Sequence, residues 1–166
     1  MKPAEAEDMI SLFAQIKARF ETGHLSGLVC KLGHYQNCCV LKLQKPSWTN
    51  DPMHRIQNQS GIFFSVWNDR ASQKKDRVFY NIHALKLGEL GGYAITSRDF
   101  ARDFRDRFEA MRDQWPNVRL DFRPATLMQG WIAKEEEGLG KNILLLLERF
   151  RRISPIIDDL LTSRRR

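Results

Sequence analysis

Residues 77–87, RVFYNIHALKL, constrain the fold more than any other stretch of the chain. In an extended conformation they place Val78, Tyr80, Ile82 and Ala84 on one side and Phe79, Asn81, His83, Leu85 and Leu87 on the other. Both sides are largely apolar, which predicts an interior strand that is covered on both faces or twisted through the core. GELGGY follows, and its three glycines at 88, 91 and 92 mark a turn.

A helix is predicted over 97–114, with Ser97 as its N-cap and Asp99 near the positive end of its dipole. Phe100, Phe104, Phe108, Met111 and Trp115 fall on one side of that helix at 100° per residue, so this stripe is the buried face. Pro116 cannot continue the hydrogen-bond ladder and biases Trp115 towards an extended conformation, which stops the helix near Gln114. NVRLDF reads as a strand, 123–124 as a turn, and TLMQGWIAK as the next strand.

The remaining elements follow in order. Residues 3–22 form an amphipathic helix, with Met9, Phe13, Ile16 and Phe20 on one face and Gly23 at its end. LVCKL and CCVLKL read as a hairpin in which Lys31 and Lys42 face solvent. Residues 44–60, with two prolines and no steady period, read as a long loop, and loops of that length are often functional. GIFFSVW is a strand, NDRASQKKDR a polar hairpin connection, and KNILLLLERFRRI a buried helix. Ser154 and Pro155 predict a second short helix, or a kinked continuation, to Thr162.

The expected fold is a two-layer α+β single domain, an antiparallel meander sheet packed by helices in the order α-β-β-β-β-α-β-β-α, over residues 1–163. Residues 164–166 are expected as a frayed basic tail that supplies three units of the +7 net charge. The chain length of 166 residues suffices for a core without disulfides or metal. The odd set Cys30, Cys38 and Cys39 argues for packing rather than a disulfide framework. The absence of an apolar run of membrane-span length and of a signal-type N-terminus predicts a cytoplasmic protein.

This element order resembles that of the MmcQ/YjbR-like bacterial proteins, in which a helix, a meander, a helix, a hairpin and a closing helix form a compact domain. YNIHALKL, GGYAITSRDFARDFR and QWPNV are also similar to a group of uncharacterised bacterial proteins. The resemblance rests on element order and carries no residue roles. It implies DNA binding by analogy alone.

The candidate sites are few. Trp48, Trp67, Asn68, Tyr80 and His83 are grouped as a ligand pocket where the 44–60 loop folds over the strand ends, with His83 as a general base if the protein is a small enzyme. Arg149, Arg151, Arg152, Arg164, Arg165 and Arg166 are the candidate nucleic-acid contacts. Arg98, Arg102, Arg105 and Arg112 could form a phosphate-binding stripe, but Asp99, Asp103, Asp106 and Asp113 beside them favour a salt-bridged solvated face. Cys30, His34, Cys38 and Cys39 lack a zinc spacing, so no metal is indicated, and no cofactor either. No phosphate loop, dinucleotide fingerprint, HExxH or GxSxG is present. A non-catalytic binding or interaction module is therefore the leading expectation, with a protein, a second copy of the chain or nucleic acid as candidate partners.

Overall fold

A computed structural model describes residues 3–23, 27–35, 38–134 and 137–166. Helix α1 (Pro3–Gly23) precedes the hairpin β1 (Val29–Tyr35) and β2 (Cys38–Gln44). Strand β3 (Gly61–Asn68), the short helix α2 (Arg70–Lys74) and strand β4 (Arg77–Leu85) follow. Helix α3 (Ser97–Phe108), strand β5 (Thr126–Ala133) and helix α4 (Leu139–Thr162) complete the chain. The five strands form one antiparallel sheet in the order β1-β2-β3-β4-β5, a simple meander.

One face of the sheet carries the core. Leu41, Leu43, Ile62, Phe64, Val66, Val78, Tyr80, Ile82, Leu127 and Met128 belong to that core, which α1 and α4 seal. Met9, Phe13, Ile16 and Phe20 are the buried stripe of α1, as their spacing requires. Phe150 of α4 stacks on Phe64 with ring centroids 4.5 Å apart and meets the edge of Trp48 at 5.8 Å. Cys30 and Cys39 are buried on this side, where loss of solvent pushes the Cys39 thiol up to about 11 and the Cys30 thiol to about 12. Among the described residues no helix is long and apolar enough to cross a membrane.

Several local expectations are corrected. The helix expected over 97–114 is α-helical only as far as Phe108 and tightens to a 3₁₀ turn over Glu109–Gln114, and its N-cap is Thr96 rather than Ser97. Phe100, Phe104 and Phe108 are buried as expected, and α3 takes β5 and α4 as its main neighbours, while Trp115, past the 3₁₀ turn, lies between Phe108 of α3 and Tyr80 of β4. The polar connection after β3 contains α2, because Asp69 and Ser72 form a reciprocal capping box.

The strand expected at 117–122 is reduced to a single bridge, Arg119 to Gln129. Asn117 adopts a left-handed φ of 54°, and the carbonyl of Phe122, at the end of the expected strand, accepts instead from the Arg105 guanidinium, as does that of Arg123 in the turn beyond. Ser154 does not cap a new helix. Pro155 lies inside α4 and offers no N–H to the Arg151 carbonyl one turn back, and the Ser154 hydroxyl donates to that carbonyl at 2.8 Å, so the helix continues through the proline.

The C-terminal arginines are held, not frayed. The backbone of Arg164 accepts from Ala94 N and that of Arg166 donates to Gly92 O, while the Arg164 guanidinium pairs with Asp103 at 2.5 Å and lies over the Phe100 ring.

Candidate functional site

The face of the sheet opposite α1 and α4 is where chemistry collects. Antiparallel register aligns side chains in rows that run across the strands. One such row reads Lys31, Lys42, Ser65, Asn81 and Gln129, one residue from each of the five strands, and Arg119 extends it through its bridge to Gln129. The row beside it is Gly33, Val40, Trp67, Phe79 and Trp131. Trp67 and Phe79 stack at 5.7 Å, and the Arg77 guanidinium lies 3.7 Å over the Trp131 ring. On the other side of the polar row Phe63 pairs with His83, their rings 5.3 Å apart.

The loop that follows β2 is folded back over this face. It is anchored far away in sequence: Trp48 Nε1 donates to Asp158 Oδ1 of α4 at 2.8 Å, and Lys45 pairs with the same carboxylate. Within the loop the Asp51 carboxylate accepts from the backbone of Met53 and Arg55, bonds that hold it below the usual carboxylate range. Ile56 sits over Gly33, where an added Cβ would come within 2.9 Å of it, and so packs the loop against β1 and β2. His54 is buried and its Nδ1 lies 3.0 Å from Gln44 Oε1.

Between this loop and β5 lies a cleft of about 320 Å³, lined at one end by Lys42, Phe63, Ser65, Asn81, His83 and Gln129 and at the other by Cys38, Val40, Trp67 and Asp69. Its floor is a hydrogen-bonded chain. Ser65 Oγ donates to Asn81 Oδ1 at 2.7 Å, and Asn81 Nδ2 lies 2.9 Å from His83 Nε2. An amide nitrogen is a donor, so Nε2 is the acceptor and the proton of the neutral ring sits on Nδ1, which faces Ala125 O at 3.4 Å. Burial pulls the His83 pKa below its ordinary value, and the bond to Ala125 O opposes that only in part.

Lys42 is 3 % exposed. Its ammonium donates to Arg55 O at 2.8 Å and Asn58 O at 3.0 Å and lies 4.6 Å over the Phe63 ring. The strand pattern predicts that it faces solvent; the loop covers it instead. Desolvation lowers its pKa, and the field of Asp51 is the counterweight.

The five residues grouped as a ligand pocket are divided by the sheet. Trp67 and His83 line the cleft. Tyr80 is fully buried on the core side, where its hydroxyl donates to Pro116 O at 2.6 Å. Trp48 is in the core, and Asn68 is buried and accepts from Gln73 at 3.1 Å. Tyr80 and His83 thus cannot act on one ligand.

Missed in that grouping are Lys42, Ser65, Asn81 and Gln129. A signal for them exists in the sequence: LVCKL, CCVLKL, IFFSVW, FYNIHA and TLMQGW each carry a polar residue among apolar ones, and aligning the strands brings those residues into one row.

The candidate nucleic-acid arginines form two separate groups. Arg151 pairs with Glu148, and Arg149 borders a recess with Trp131 and Leu145. Arg152 and Arg164 are twelve residues apart in sequence, roughly 18 Å of helix rise along α4 and its end. On α3, Arg102 pairs with Asp99 and Asp103 and Arg107 with Asp159, and on the 3₁₀ turn Arg112 pairs with Glu109, so the surface is salt-bridged as the charge pattern predicts. Arg105 departs from it, because its guanidinium donates to the carbonyls of Phe122, Arg123, Thr126 and Leu127 and fixes the turn that brings Ala125 O to His83. Among the described residues no group of three or more His, Cys, Asp or Glu side chains is arranged to hold a metal ion.

No family model, curated protein or solved structure matches the chain.

Proposed function

We propose that the protein is a non-catalytic binding module whose ligand lies in the cleft on the face opposite α1 and α4. The observation that carries this reading is the transverse row itself. Polar side chains on a covered sheet face cost desolvation, and here five strands each contribute one to a single line, with aromatic rings on either side. Few convergent polar groups between apolar walls are the usual makeup of a small-molecule site, and the cleft volume is at the lower end for one.

The bonding of the floor favours binding over turnover. The Ser65 proton goes to an amide oxygen, which is no base, and the acceptor nitrogen of His83 is already taken by Asn81. Among the described residues Cys30, Cys38 and Cys39 form no disulfide, which suits a reducing compartment such as the cytoplasm. DNA binding, the role implied by resemblance to MmcQ/YjbR-like proteins, would require Arg151 and Arg164 to exchange their carboxylate partners for phosphates.

Titration of isotopically labelled protein with a panel of small metabolites tests the reading. The expected result is a compound that shifts the amides of Ser65, Trp67, Asn81 and Gln129 and is recovered unchanged. Chemical conversion of the bound compound, or a panel that leaves these amides unmoved, overturns it.

A further inference from the structure

We propose that the ligand of this cleft is a small organic anion, its charged group at Lys42 and its remainder extended along the row towards Gln129. The inference rests on the binding reading above and adds a charge and a direction to it.

The argument starts from a buried cation. An ammonium has three donors, and Lys42 commits two of them to the neutral carbonyls of Arg55 and Asn58. Among the described residues no carboxylate forms an ion pair with it. Asp51 acts on it through its field while its own oxygens are held by the backbone of Arg55 and Met53, and Asp69, the carboxylate of the cleft lining, stands past the end of β3 and accepts from Ser72 N. Burying an ammonium without a hydrogen-bonded counter-ion is costly. Lys42 nevertheless lines the cleft, and among the described residues its third donor meets only the face of the Phe63 ring 4.6 Å away, a weaker partner than the anion that would replace it there.

The rest of the row supplies direction. Next to Lys42 stands the Ser65 hydroxyl, then the Asn81 amide and finally Gln129. Asn81 is 2 % exposed and is engaged with both Ser65 and His83, so it braces the floor. Gln129 commits its backbone to Arg119 and lines the cleft, where its side-chain amide has both a donor and an acceptor to offer. Three strand spacings separate Lys42 from Gln129, roughly 14 Å between backbones. The far half of an elongated ligand would therefore run beside the Trp67 and Phe79 stack, which favours a flat apolar body over a bulky one.

The test compares ligands that differ in charge alone. Indole-3-acetate and its neutral amide, indole-3-acetamide, are titrated into the labelled wild-type protein, with benzoate and phenyl phosphate as further arms that separate a carboxylate from a phosphate head group. The expected result is that an acid binds at the cleft at least about tenfold more tightly than its amide, the scale of one hydrogen bond to a charged group. Lys42→Met should bring that ratio to about one. Because the acid and amide are first compared on the unaltered protein, the decision does not depend on how well the variant folds. Equal binding of acid and amide at the cleft overturns the anion proposal and leaves the binding reading standing. Absence of any shift at the cleft with all four probes overturns the anion proposal, and the binding reading is then decided by the wider panel.

Discussion

Gly130 of β5 stands directly across from Tyr80 of β4, and a Cβ added at Gly130 would lie 2.3 Å from the Tyr80 hydroxyl oxygen and 2.8 Å from the Pro116 carbonyl oxygen. The missing side chain is the space through which the tyrosine reaches its acceptor. The residue pair thereby joins the sheet to the turn after the 3₁₀ segment that ends α3.

Gly130→Ala should destabilise the fold by about 1 to 3 kcal/mol or more, the cost of overpacking a closed site. Tyr80→Phe alone should cost about 1 to 2 kcal/mol, because it leaves Pro116 O without its donor. Since the two changes share one space, the double variant should be less destabilised than the sum of the single ones. Urea melts of the three variants measure this, and strict additivity would mean that hydroxyl and methyl do not compete.

Phe104 is fully buried in α3 and stacks on Phe108 at 5.6 Å. Phe104→Ala should cost about 3 to 5 kcal/mol through the cavity it leaves. Arg102, whose side chain is 61 % exposed and pairs with Asp99 and Asp103, is the control. Arg102→Ala should change stability by less than about 1 kcal/mol. Equal denaturation midpoints for wild type and Phe104→Ala would show that α3 contributes nothing to the folded state.

Stability should fall as the pH drops from about 7.5 to about 5.5. Burial lowers the pKa of both His83 and His54, aided at His54 by the nearby Lys42 charge, whereas in the unfolded chain each titrates near about 6.5. The unfolded chain then takes up protons that the folded one resists, so the contribution is whole above the unfolded value and declines below it towards the folded values. A proton on His83 Nε2 would also expel the Asn81 donor from its place. Denaturation midpoints across this range should lose much of their slope in the His54→Gln, His83→Gln double variant. An unchanged slope would assign the loss to other groups.

Which parts of this architecture are legible in the sequence follows from how local their causes are. The alternation in 77–87 by itself separates Tyr80 from His83, since a period of two puts them on opposite faces, yet grouping by aromatic and polar character places them in one pocket. The α1 and α3 stripes are legible because a helix needs only its own spacing to define a buried side. Lys42 is not, because its burial is decided by a loop whose anchor, Asp158, is 110 positions from Trp48. The failed strand at 117–122 has the same origin: the carbonyl at its end, Phe122, and that of Arg123 beyond it are claimed by Arg105 on a helix that propensity cannot connect to them.

The transverse row has a further consequence, for how the chain finds its pairing. Slipping β4 by one position against β3 would drive Asn81 and His83 into the apolar core, strip their hydrogen bonds, and move Tyr80 and Ile82 to the cleft side of the sheet. The same penalty applies at each of the four strand pairings, because each strand carries its own member of the row. The polar line that opens the cleft therefore acts during folding as an alignment mark, one that rejects the off-by-one sheets to which a meander of wholly apolar strands would be prone.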